Sequence, residues 1–175
     1  MLISALRSLG SLWCINGTAF KLTFVCFGII PVMKMDREEL MQFILDHYEN
    51  PRNYGHSEDA HVVQKGGNPG CGDIITVYLK FDDMGKVSDI SFEGEGCIIS
   101  QAATSMITEI VEGRAIEEVE KMSPDVITDL IGKELAMTRP RCTTLGLTTV
   151  KLALNEWHKQ ETISQIKKDK EASNT

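Results

Sequence analysis

The chain has 175 residues, 42% of them hydrophobic, and a net charge of −7. That size supports one domain with a packed core better than it supports two. The acidic balance, with no basic cluster interleaved with aromatics, excludes a general nucleic-acid-binding face. The five cysteines are Cys14, Cys26, Cys71, Cys97 and Cys142. An odd count with wide spacing does not suit a disulfide framework; it suits free thiols in a reducing, cytoplasmic setting.

Residues 1–34 stand apart from the rest. They contain no Asp or Glu, and their only charges are Arg7, Lys21 and Lys34. Lys21 keeps the apolar run from reaching the roughly 20 residues of a membrane span. We read this stretch as a leader or an over-extended start, extraneous to the fold. Met33 and Met35 sit directly before a strong helix start. Asp36 opens a helix to about Tyr48, with Asp36, Glu38 and Glu39 in the turn that favours negative charge. Leu40, Phe43, Ile44 and His47 give it one apolar face. Residues 50–55 form a turn, and His61-Val62-Val63 reads as a short edge strand.

Beyond Asp73 the pattern switches to period two. Ile75, Val77, Leu79 and Phe81 alternate with Thr76, Tyr78 and Lys80, as in a half-buried strand. The turn Asp82 to Gly85 leads into a returning strand, Val87 to Phe92. A helix from Ser100 to Val111 ends at Gly113. An acidic helix from Ala115 to Met122 follows, then one capped by Ser123 and running to Ile131. A final helix from about Pro140 carries Leu147, Val150, Leu154 and Trp157 on one stripe. The tail, residues 161–175, is polar and lysine-rich and is expected to fray. The order defines an α+β domain over residues 35–160: a small antiparallel sheet of about three strands with several helices packed on it.

The chemistry concentrates in Gly66-Gly67-Asn68-Pro69-Gly70-Cys71-Gly72-Asp73. So much glycine and proline reads as a loop. Cys71 and Asp73, two apart on a loop, can turn toward one point. The hairpin brings Cys97 beside Cys71, and Cys97 lies near a helix start. Cys142 falls in the first turn of the last helix. A single cysteine is about as often a small buried hydrophobe as a ligand. Three of them, none in the middle of an apolar face, point to one site. Arg141 has no lone pair to give, but it is expected to favour the Cys142 thiolate. His47 and His158 read as helix positions and His56 and His61 as loop positions, His61 being the least improbable ligand. The candidate ligands are therefore Cys71, Asp73, Cys97 and Cys142. Three thiolates and an oxygen suit zinc or an iron–sulfur cluster, and a carboxylate in place of a fourth thiolate makes a cluster labile.

Four segments carry a resemblance: His47 to Asn53, Gly67 to Asp73, Phe92 to Ser100, and Arg141 to Leu145. Through them, residues from Met35 to Gln160 resemble the iron–sulfur cluster assembly scaffold family, which includes IscU, SufU and the NifU N-terminal domain. The resemblance implies that Cys71, Asp73, Cys97 and Cys142 hold a [2Fe–2S] cluster. It implies a pyridoxal-phosphate-dependent cysteine desulfurase as sulfur donor and apo iron–sulfur proteins as recipients, and it leaves a homo-oligomer open. It also implies that one cysteine takes a persulfide first. Cys142 is favoured beside Arg141, while the SufU branch points to Cys71. The IscU branch usually has a histidine directly before its third cysteine; this chain has Arg141. SufU proteins carry an insertion between the second and third cysteines, and here that interval is short. The alternative is a SufU-like zinc protein that accepts sulfur and stimulates the desulfurase. A purely structural zinc module is the weakest reading, because such sites are usually closed by Cys or His. No paired acid–base groups mark a substrate pocket, so a non-enzymatic role is expected, without nucleic acid or membrane.

Overall fold

The computed structural model describes residues 35–172. The expected leader, residues 1–34, lies outside the described residues. Helix α1 (Arg37–Glu49) starts with a full capping box. The Asp36 carboxylate accepts the backbone N–H groups of Glu38 and Glu39, and Glu39 reaches back to the Asp36 N–H. Each of these satisfies a donor that a helix end otherwise leaves orphaned.

Three strands follow: β1 (Val62–Asn68), β2 (Asp73–Phe81) and β3 (Val87–Glu95), paired antiparallel in the order β1-β2-β3. In β2 the expected phase holds, with Ile75, Val77, Leu79 and Phe81 all buried. The same phase, carried one step back, turns Asp73 toward the core face. β1 is longer than the sequence suggests, because Gly66, Gly67 and Asn68 continue the ladder instead of forming a loop. Gly66 is where α7 (Leu145–Ala172) presses on β1: a Cβ there would stand 2.0 Å from Thr149 Oγ1. The sequence pattern marks this glycine as a loop former, but in the fold it lets a helix cross a strand at close range.

Helix α2 (Ile98–Val111) packs against β3, α1 and α7, and α7 also covers β1 and β2. Ile44, Phe92, Ile107, Leu147 and Leu154 fill the space between these elements. Short helices α3 (Ile116–Glu120) and α4 (Asp125–Ile131) come next. The residue before α4 is Pro124, without a side-chain cap, and not the expected Ser123; Ser123 lies one residue further out, where its Oγ accepts the Asp125 N–H. Three further features depart from the sequence reading. Helix α5 (Lys133–Thr138) was not foreseen, and α6 (Pro140–Thr143) is a separate short helix ahead of α7. Helix α7 also continues past Gln160 to Ala172, so the tail expected to fray is helical, with residues 161–171 exposed.

Candidate metal and cluster site

Four pieces of backbone meet at one end of the sheet. The β1–β2 turn is closed by Asn68. Its carbonyl accepts the N–H groups of Cys71 and Gly72 at 3.1 and 2.8 Å, and its side-chain oxygen accepts the Gly70 N–H at 3.2 Å. This turn leaves Cys71 exposed at its tip. Asp73 begins β2 on the buried face and is 3% exposed. Ile74 pairs with Glu95, so the end of β3 and the start of α2 arrive beside Asp73. Cys97, the residue before α2, is half-buried there. Its N–H donates to Asp73 Oδ1 at 3.0 Å, and its thiol to Oδ2 at 3.7 Å. The approach is close because residue 96 is glycine: a Cβ there would lie 2.5 Å from Ser100 Oγ and 3.1 Å from Asp73 Cγ. Cys142, in α6, supplies the third sulfur from beneath and is 1% exposed.

The structure brings all four predicted side chains together. The Cys142 thiol donates to Cys71 Sγ at 3.4 Å. The ligand atoms of Cys71, Asp73 and Cys142 lie within 4.8 Å of one another. Donors held by bonds of roughly 2.3 Å around a tetrahedral ion stand about 3.8 Å apart. The Cys142–Cys71 and Cys97–Asp73 separations of 3.4 and 3.7 Å are of that size, so Cys71, Asp73 and Cys142 form a group that suits zinc or iron, with the Cys97 thiol against its carboxylate.

Burial pushes the Cys142 thiol up, helped by contacts with Asp73, Cys71 and Cys97. Arg141 is exposed and is not among the groups acting on that thiol. The expectation that Arg141 keeps Cys142 ionised is therefore corrected: burial outweighs a neighbour whose charge faces solvent. A bound cation is what would make the buried thiolate favourable.

The histidines lie elsewhere. His47 is buried against Ser105 Oγ at 2.9 Å. His61 Nδ1 accepts the Phe81 N–H at the far end of β2, and its ring stacks on Trp157. His56 and His158 face Glu93 and Glu120. A cleft of about 490 Å³ between α1 and α5 contains none of the described cysteines. One residue of the site escaped the sequence reading. Asn68 is 4% exposed, and its amide donates to Cys142 Sγ at 3.4 Å. The signal was the two-residue phase of Val62, Gln64 and Gly66, which reaches Asn68 once β1 is carried through the glycines.

A three-stranded α+β domain with a Cys71, Asp73 and Cys142 group and the Cys97 thiol gathered at one end presents a candidate metal site. The chain belongs to the NifU-like N terminal domain family, whose profile matches residues 39–164. It is 37% identical over 125 residues to iron-sulfur cluster assembly scaffold protein IscU 1 of Archaeoglobus fulgidus, covering 71% of this chain and 80% of that protein. It is 47% identical over 95 residues to the zinc-dependent sulfurtransferase SufU of Bacillus subtilis, covering 53% of this chain and 62% of that one. The fold matches the N-terminal part of a NifU-like protein from Brucella abortus with a TM-score of 0.60 at 21% identity, over 67% of this chain and 93% of that one.

Proposed function

We propose that this chain is a scaffold for iron–sulfur cluster assembly. It accepts sulfur from a pyridoxal-phosphate-dependent cysteine desulfurase, binds iron, holds a [2Fe–2S] cluster as cargo on Cys71, Asp73, Cys97 and Cys142, and passes it to apo-proteins. The observation that carries this reading is the donor set itself, three thiols and one carboxylate converging with one thiol open to solvent. An oxygen donor among soft sulfurs holds iron less firmly, as suits cargo that must leave. The chemistry asks for a reducing compartment, which we take to be the cytoplasm; no described helix is long and apolar enough to cross a membrane.

Exposure changes which cysteine we expect to take sulfur first. Cys71 stands at the turn tip, while Cys142 is buried behind it. An incoming persulfide reaches Cys71. Its thiolate attacks the terminal sulfur, the donor's S–S bond breaks, and the donor cysteine leaves as thiolate. Cys142, 3.4 Å away, is placed to receive that sulfur next. Turning bound sulfane sulfur into sulfide takes two electrons per atom, so assembly also needs a reductant such as a dithiol.

A second reading is favoured by the donor separations of 3.4 and 3.7 Å and by the relative named a zinc-dependent sulfurtransferase. Here zinc occupies the four donors and the protein only relays sulfur. Anaerobic incubation with a cysteine desulfurase, cysteine, Fe²⁺ and a dithiol separates the two. A scaffold binds acid-labile sulfide, gives it to an apo-ferredoxin, and loses it in Cys71→Ala and Cys97→Ala. Retained zinc, no bound sulfide and faster desulfurase turnover would instead establish the relay.

A further inference from the structure

We propose that Asn68 is a positioning residue of this site, its side-chain amide holding the Cys142 sulfur in place as a ligand through an N–H···S hydrogen bond. Asn68 lies on the inward face of β1 opposite Asp73, so strand pairing delivers both to the same end of the sheet. The orientation of its amide follows from its partners. The Gly70 N–H can only donate, so the atom facing it is the oxygen, and the NH₂ group is the one 3.4 Å from Cys142 Sγ. The contact is buried on both sides, at 4% and 1% exposure.

The consequence is specific to a ligand sulfur. A thiolate bound to a metal keeps lone pairs, and at Cys142 little water is available to satisfy them. An amide N–H offers a donor that never has to be deprotonated, unlike the neighbouring thiols. It draws charge from the sulfur and fixes its direction, as groups that hydrogen-bond to metal ligands do. Asn68 also has a purely architectural task, since its oxygen and its carbonyl close the turn that carries Cys71. The two tasks use different atoms, which lets them be separated.

The inference rests on the proposed function only in taking Cys142 as a metal ligand. The test is an anaerobic Co²⁺ titration of the full chain, comparing wild type with Asn68→Ser and Asn68→Thr. Both hydroxyls can accept the Gly70 N–H, but both side chains are one atom shorter and lose the sulfur. The expected result is a native far-UV spectrum, Co²⁺ affinity lower by about 10- to 100-fold, and a thiolate-to-cobalt charge-transfer band moved to longer wavelength. An unmoved band with affinity within about twofold of wild type in either folded variant would overturn the proposal. Failure of both variants to fold would also overturn it, by making Asn68 a residue of the fold rather than of the site. Absence of sulfide assembly in the wild type would sink the scaffold reading and leave this comparison standing. Wild type that binds no cobalt through sulfur would sink both.

Discussion

In the proposed scaffold, Asp73 is the residue expected to set the balance between retention and release. Its carboxylate is buried, accepts the Cys97 N–H, and sits among three sulfurs as the single hard donor. Replacing it with a thiolate should hold iron more firmly. Asp73→Cys is therefore expected to lengthen the half-time of cluster transfer to an apo-ferredoxin by several-fold; transfer as fast as wild type would remove Asp73 from the ligand set. His47 governs a different property. Burial lowers its pKa to about 4, with Arg52 adding to the effect and Asp46 opposing it. The unfolded chain binds that proton near pH 6.5, so the stabilisation from neutral His47 is complete above about 6.5 and lost as pH falls toward 4. The loss is of order 3 kcal/mol. Urea midpoints at pH 7 and pH 4.5 should converge in His47→Gln, and an unchanged gap would assign the acid sensitivity elsewhere.

At the level of the elements, two glycines decide how closely helices may approach the sheet. Gly96→Ala would drive a methyl into Ser100 and Asp73. Overpacking of this kind costs about 1–3 kcal/mol. Because Cys97 directly precedes α2, zinc affinity should fall together with the melting temperature; a normal affinity in the folded variant would show that the junction tolerates the shift. These close approaches also mark where the sequence could be read and where it could not. The alternation of Ile75, Val77, Leu79 and Phe81 announced β2, because a two-residue period survives wherever one face is buried. Gly66 and Gly67 conceal the end of β1, since their lack of side chains blurs that period and only the arrival of α7 gives Gly66 a purpose. Helix α5 is six residues long and lies between Gly132 and Arg139, too short for a helical period to stand out. The α7 extension carries no buried face from which to infer it.

For the whole molecule, the sequence led to three strands and packed helices because each stretch agreed with its neighbours in periodicity and turn chemistry. The ligands were legible for a related reason: thiols on loops and helix starts have little packing role to explain them. What could not be read was their inequality. Exposure of Cys71, burial of Cys142 and the placement of Arg141 toward solvent depend on how α6 lies beneath the β1–β2 turn. Asn68 became visible only with that packing. The four-donor site itself is tested most directly by zinc K-edge X-ray absorption on the zinc-loaded chain. Three sulfurs at about 2.3 Å and one oxygen at about 2.0–2.2 Å are predicted, with one sulfur lost in Cys142→Ala. A shell containing imidazole, or one unchanged by removing Cys142, would contradict the site described here.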